Sequence, residues 1–309
     1  MLKIYTRTPK VFSKERLKYC LSFFLNKRRG PEAVLQSLHR GLTALSIPHS
    51  INPLFNSASK NDTVHIISGI EALRWAIAKA KKAGISKLIA GPNLVVTPLE
   101  YEGIIRDTSI DIILQPSQWV VDFYISIAPE IKEKTKVWPA GVEISSVQKY
   151  KNEKPHCLIY KKFVSQDTYE NVYNGLKSQG ISSSTLTYGE FKPNEFYSEL
   201  IKADFMIYLS TSESQGLALQ EAWIRNVPTL VLNDKIWSYG SYTWTDDKIA
   251  APYLNDQCGV FFSSNDDIQS TLQMFQKQLE TFNPREYVLS ASLDDKSSAL
   301  MYLRAIGYN

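Results

Sequence analysis

Short apolar runs alternate with longer amphipathic stretches along nearly the whole chain, and this alternation limits the folds open to it. Strands that recur between helical patterns are the mark of an α/β domain with a mostly parallel sheet. In the first half, Leu2–Tyr5, Thr63–Ile67, Lys87–Ala90, Asp111–Gln115 and Lys136–Trp138 read as strands. Glu32–Leu45 reads as a helix because Val34, Leu35, Leu38, Leu42 and Leu45 fall on one face. Pro31 stands near its start, where a missing N–H costs nothing. Ile70–Ala83 reads as a second helix stopped by Gly84, and Ser117–Ile127 as a third whose first turn carries the cap Ser117.

The alternation then restarts. His156–Tyr160, Ser184–Tyr188, Phe205–Leu209 and Thr229–Leu232 read as strands, with Gly259–Phe262 closing the second sheet. Helices are predicted over Gln166–Gln179, Asn194–Lys202, Gly216–Arg225, Asp266–Thr281 and Leu293–Ala305. Asn226–Val227–Pro228 must end the third of these, since a residue before proline is pushed out of the helical region. Pro139, Gly141 and the polar run Gln148–Pro155 read as a linker. The expected layout is therefore a Rossmann-like domain over 1–140 and a second over 141–292. A last segment, 293–309, is expected to return to the first domain. Two such sheets are expected to face a cleft. Ligands of such sheets bind at the carboxyl ends of the strands, which singles out Gly30, Gly91–Asn93, Lys161–Lys162, Gly189 and Ser210–Gly216.

Composition removes several function classes. With 44 % hydrophobic and 21 % charged residues, the 309-residue chain can fill two cores and is not a disordered one. A net charge of +4 lacks the dense basic face of a nucleic-acid binder, so no nucleic-acid partner is expected. The densest basic cluster, Lys27–Arg29, suits an anionic small molecule or an acidic membrane surface equally well, which leaves peripheral membrane contact through the first domain open. Cys20, Cys157 and Cys258 are odd in number and far apart, against a disulfide framework or a cysteine-built zinc site. The start, MLKIYTRTPKVFSK, has no signal-type apolar stretch, and no run is long enough for a membrane span. The expectation is a cytoplasmic enzyme.

The segment Ala203–Asn233 carries the most chemistry: strand, polar loop, helix, turn, strand. A helix start offers unpaired N–H groups and partial positive charge, which favour phosphate. Gly216 removes a side chain from the path of a diphosphate, and Ser210, Thr211, Ser212 and Ser214 offer hydroxyls. Glu221, seven residues after Glu213 with the helix start between them, is placed to reach the ribose diol of a nucleotide. Glu213 precedes the helix, where a sugar beyond the phosphates would lie. The spacing alone is weak, since surface glutamates are usually solvated.

The same segment resembles the donor-site signature of glycosyltransferase family four, retaining enzymes of the GT-B type. The matching residues are Ala203–Asp204, Leu209–Ser210, Glu213–Ser214–Gln215–Gly216–Leu217, Gln220–Glu221–Ala222 and Asn226–Val227–Pro228. Sparser likenesses follow in family order. Arg29–Gly30–Pro31 resembles the first-domain glycine loop that faces the donor phosphates, and Gln115–Pro116–Ser117–Gln118–Trp119 resembles a Ser-x-Trp stretch. Val137–Glu143 resembles the interdomain linker, and Leu186–Gly189, with Tyr188 and Gly189, resembles the strand end that passes the nucleotide base. His65 follows one of the family's histidine positions; the plainer reading is a half-buried strand histidine with a local hydrogen bond.

Two departures stand out. Members usually carry an arginine and, five residues later, a lysine after the second domain's first strand; here Lys161 or Lys162 stands alone. Where members often have Val-His-Gly, this chain reads Ala90–Gly91–Pro92–Asn93, and Asn93 can bind a hydroxyl but carries no proton.

The resemblance implies sugar transfer from a nucleotide sugar, a UDP- or GDP-sugar, to a glycan or lipid-linked acceptor, with retention of anomeric configuration. Lys161 or Lys162, Gly30 and the N–H groups near Gly216 would stabilise the leaving diphosphate. No metal and no cofactor is expected, and the pairs Asp246–Asp247, Asp266–Asp267 and Asp294–Asp295 read as solvated loop acids. A sugar phosphorylase, a nucleotide-sugar epimerase or a non-catalytic glycosyltransferase-like partner subunit remain alternatives. Trp237, Tyr239, Tyr242 and Trp244 crowd one loop, either packed together or lining an acceptor.

Overall fold

The structure, a computed structural model, describes residues 1–10, 15, 30–54, 58–145 and 154–308. Cys20, Lys27–Arg29 and residues 148–153 of the expected linker lie outside the described residues. The chain forms two compact units: Met1–Gly141 with Asp295–Asn309, and Val142–Asp294. It therefore passes between units twice. At the second unit's end of these passages Val142 N–H donates to Leu293 O at 2.9 Å, and Val142 bridges Asp294 in parallel.

The first unit is built on a six-stranded sheet. Its strands are β1 (Leu2–Tyr5), β2 (His49–Ile51), β3 (Thr63–Ser68), β4 (Lys87–Asn93), β5 (Ile112–Gln115) and β6 (Thr135–Val137). They run in the order β2-β1-β3-β4-β5-β6, every pair parallel. β2 is absent from the sequence reading because three half-buried residues at a sheet edge carry no periodicity. Helices Gly30–Ala44, Ile70–Ala80, Gln118–Ile127 and Asp295–Ile306 belong to this unit. Val34, Leu35, Leu38 and Leu42 are buried on the first, while Leu45 is half-buried beyond its end. The second helix stops at Ala80, before the expected Ala83; Gly84 closes the turn that follows by donating to Lys79 O at 2.9 Å. Ser117 is the N-cap residue of the third, but its buried hydroxyl makes no hydrogen bond.

Two features hold the 295–306 helix in the first unit. At Gly41 an added Cβ would stand 2.2 Å from Asp295 O and 2.6 Å from Ala299 Cβ, so the helix backbones meet where only a hydrogen fits. Arg40 beside it pairs with Asp295 at 2.5 Å. Further along, Tyr302 reaches His65 on β3. His65 Nε2 lies 2.8 Å from Gly91 O; a carbonyl only accepts, so Nε2 carries the proton and Nδ1 accepts from the Tyr302 hydroxyl at 3.1 Å. The two rings stack at 5.3 Å, with Trp138 edge-on at 6.0 Å. Trp138 Nε1 in turn donates to Ser298 O at 3.2 Å.

The second unit carries a five-stranded parallel sheet of β7 (His156–Lys161), β8 (Ser182–Thr187), β9 (Phe205–Leu209), β10 (Thr229–Leu232) and β13 (Gly259–Phe262), in the order β13-β10-β9-β7-β8. Side chains alternate between its faces. Cys157, Ile159, Phe205, Ile207 and Leu209 enter one core with helices Gln166–Ser178 and Ile268–Gln278. Leu158, Tyr160, Met206 and Tyr208 enter the other with helices Pro193–Lys202, Leu217–Trp223 and Pro284–Ser290. Asp267, one of the paired acids, caps the 268–278 helix by accepting from Ser270 N at 2.9 Å. The expected aromatic loop is a hairpin of β11 (Ile236–Tyr239) and β12 (Tyr242–Thr245), which pairs Trp237 with Trp244 and Tyr239 with Tyr242. Among the described residues no helix is long and apolar enough to cross a membrane.

Two stability tests follow from the first unit. Gly41→Ala forces the 30–44 and 295–306 helices apart and is expected to cost about 2 kcal/mol, the usual range for overpacking; an unchanged urea midpoint would contradict the close approach. Burial pushes the His65 imidazole down to about 4, against the upward pull of its bond to Gly91. Above the unfolded value near 6.5 both states are neutral and the full stability is present. As pH falls from there through about 4, the unfolded chain takes up a proton that the fold refuses, and about 3 kcal/mol is lost. Denaturation midpoints measured across that window should show this slope in the native protein and lose it in His65→Gln.

Candidate functional site

Strand alternation decides where the two lysines after β7 go. Lys161 continues the face of Cys157 and Ile159; its Nζ donates to Gln166 Oε1 at 2.7 Å and lies 4.5 Å from the centre of the Tyr169 ring. Lys162 emerges on the face of Leu158 and Tyr160. Its N–H still pairs with Leu209 O at 2.7 Å, so the backbone is held to β9, and its Nζ donates to Glu213 Oε1 at 2.6 Å.

Glu213 is nearly buried, and its carboxylate gathers donors on one oxygen. Besides Lys162, the Tyr208 hydroxyl donates to Oε1 at 2.7 Å and the Ser210 hydroxyl lies 3.1 Å away. Ser210 Oγ also lies 3.0 Å from Ser212 O, so its single proton has two acceptors in reach. The Glu213 N–H donates to Ile249 O at 2.8 Å, which ties the loop to the segment after the hairpin. Tyr208 keeps its proton: burial first, then the Glu213 charge, pushes its phenol far up. The Tyr160 ring stacks on it at 4.8 Å and 13°.

The loop then turns into the 217–223 helix. Gly216 is the N-cap residue with φ +84°, a left-handed conformation that favours glycine. Its carbonyl accepts from Leu219 N at 3.0 Å, and Leu217 packs on the core beside it. Ser214 is exposed. Gln215 turns inward, its Nε2 donating to Oε1 of the fully buried Gln220 at 3.0 Å, while Gln220 Nε2 has no hydrogen-bond partner. Glu221 is half-buried; its Oε1 accepts from the Tyr197 hydroxyl at 3.0 Å, and Arg225 lies over that same ring at 4.3 Å.

Beyond β8 the exposed Tyr188 places its ring 4.8 Å from Lys162 Nζ and edge-on to Phe163 at 5.9 Å. Gly189 follows with φ +86° and open space where a Cβ would stand. Phe163 is 76 % exposed and has φ +51°, a conformation bulky residues rarely adopt.

The structure therefore brings Lys162, Tyr188, Ser212 and Glu213 together at the carboxyl ends of β7, β8 and β9, with Gln215, Gly216 and Glu221 on the turn and helix that follow. Lys161 points to the opposite face. Gly30, Pro31, His65 and Asn93 stand on the first unit. Gly30 and Pro31 open its 30–44 helix, with nothing near the place of a Gly30 Cβ. His65 is sealed in the core with both ring nitrogens engaged, more deeply than a half-buried strand histidine. Asn93 ends β4, and its buried Oδ1 has no hydrogen-bond partner. Among the described residues no group of three or more His, Cys, Asp or Glu side chains is placed to hold a metal ion. The sequence reading missed Tyr208, Tyr197 and Arg225. Tyr208 had a signal: it shares strand parity with Ser210, two residues on.

No family model matches the chain, and no curated protein matches it in sequence. Solved structures do match it in shape. The apo form of the lipopolysaccharide outer core galactosyltransferase WaaB is 12 % identical and aligns over 99 % of each chain with a TM-score of 0.58. WaaG, a glycosyltransferase involved in lipopolysaccharide biosynthesis, is 11 % identical over 100 % of each chain with a TM-score of 0.55. The catalytic domain of starch synthase IV from Arabidopsis thaliana, bound to ADP and acarbose, is 11 % identical. That match covers 91 % of this chain and 78 % of that one, with a TM-score of 0.54. Identities this low speak for the fold alone: the chain has the α/β architecture with parallel sheets found in GT-B glycosyltransferases.

Proposed function

We propose that this chain is a glycosyltransferase that moves a sugar from a nucleoside-diphosphate-sugar donor to a glycan or lipid-linked acceptor, with retention of anomeric configuration and without a metal. The observation that carries the reading is the Lys162–Glu213 pair at the carboxyl end of a parallel sheet, 2.6 Å apart and both largely shielded from solvent. Ligands of such sheets bind at that edge. A lysine there supplies a point charge for phosphate, and a carboxylate accepts hydroxyl hydrogen bonds.

In this reading Lys162 takes the diphosphate and stabilises the charge that grows on it as the glycosidic bond breaks. Glu213 contacts the transferred sugar. Glu221, on the helix that follows, accepts from the ribose hydroxyls, and Tyr188 lies beside the base. The family-four resemblance of the Ala203–Pro228 segment supports these roles, and the fold shared with known glycosyltransferases supports the class. The mechanism asks little proton transfer of the protein in the second unit; its work is to place fixed donors where charge develops.

Turnover of UDP- and GDP-sugars, followed as released nucleotide, is the direct test. Glu213→Ala is expected to lower kcat by ~10²-fold or more, the size of losses when a site polar group is removed. Glu221→Ala should mainly raise the Kd for the nucleotide. The reading is lost if both variants keep native turnover. Lys162→Met should weaken nucleoside diphosphate binding by about tenfold or more, while Lys161→Met, aimed at Gln166, should leave it within twofold. Equal effects of the two would place the phosphate elsewhere.

A further inference from the structure

Resting on that reading of Lys162 and Glu213, we propose that Tyr208 is a positioning residue: it holds Glu213 in place while Lys162 exchanges the carboxylate for the ligand's phosphate. The need for such a residue comes from the pair itself. At 2.6 Å the Lys162 ammonium is committed to Glu213, yet the donor-site role requires it to serve an incoming anion. A carboxylate beside a diphosphate is repelled by it, and a glutamate whose only anchor is the departing lysine would swing away.

Lys162, Ser210 and Tyr208, which all reach Glu213 Oε1, differ in what they can do. Lys162 sits on a flexible four-carbon stem just past the strand, with the Tyr188 and Phe163 rings 4.8 and 5.9 Å from its Nζ, so it can swing away. Ser210 has one proton and two acceptors at 3.0 and 3.1 Å, so it does not secure the carboxylate. Tyr208 is fixed. It lies on β9 between β7 and β10, is 1 % exposed, and is clamped by the stacked Tyr160 ring. Its hydroxyl proton has Glu213 Oε1 as acceptor at 2.7 Å. A buried phenol on a central strand is thus the donor that stays when the ammonium leaves.

The test compares native protein, Tyr208→Phe and Lys162→Met by calorimetry with inorganic pyrophosphate and by donor turnover. Tyr208→Phe keeps the ring and loses one charge-assisted hydrogen bond. Expected are a kcat lower by about tenfold or more and a pyrophosphate Kd within twofold of native. Lys162→Met should instead weaken pyrophosphate by about tenfold or more. Retained pyrophosphate binding in Tyr208→Phe also shows that the site is folded. A Tyr208→Phe enzyme with native kcat overturns the proposal alone, as does one that loses pyrophosphate as fully as Lys162→Met does. Native protein that binds neither pyrophosphate nor a nucleoside diphosphate would sink the donor-site reading, and this proposal with it.

Discussion

The central strands of the second unit's parallel sheet, β7, β9 and β10, are buried on both faces, and the placement of its polar chemistry follows from that. A strand inside such a sheet offers a polar side chain no water on either side, so charge collects where strands end. Tyr208 is one exception that fits the rule. It lies within β9, shielded on its flank by Tyr160, and directs its only polar atom towards the Glu213 loop. Lys162, Ser210, Glu213 and Tyr188 all stand just past strand ends.

A partly buried ion pair is not in itself a stabilising choice. Removing two charges from water costs energy that attraction repays only with good geometry and further hydrogen bonds. Here the firm further bond is the Tyr208 hydroxyl on the same oxygen, with the shared Ser210 proton within reach. Backbone strain stands beside the charge: Phe163, next to the lysine, takes a left-handed conformation without being a glycine. Strain of this kind persists where surrounding bonds fix the backbone, as Lys162 N to Leu209 O and Glu213 N to Ile249 O do here.

The strands and long helices were legible because buried parallel strands are continuous apolar runs and helices repeat at their own period. β2 was not, since an edge strand of three half-buried residues has no pattern to read. The β11–β12 hairpin was read as a loop: its aromatic residues were seen, but their pairing across the turn at Gly240 was not. At the site, Glu213, Gly216 and Glu221 came from their frame of strand, loop, helix and proline. Lys161 and Lys162 both follow the strand read over His156–Tyr160; parity puts them on opposite faces, but which face carries Glu213 shows only in the fold. His65 shows the opposite limit. Its place in a strand was clear, but its partners, Gly91 and Tyr302, lie 26 and 237 residues away, and no local pattern reports such distances.

The first unit is made of two stretches of chain with the whole second unit threaded between them. During synthesis, residues 142–294 emerge before the 295–306 helix exists, so the second sheet can fold to completion while the first still lacks a wall. Until then the Gly41 notch, the Arg40 charge and the His65 ring have no counterpart, and the apolar surface meant for Tyr302 and Leu303 stays wet. Domains usually mature from the N-terminus on the ribosome; here the N-terminal unit cannot be complete before the second unit has been made. The cellular hazard for this protein then lies in an early half that must wait, unfinished, for the 295–306 helix.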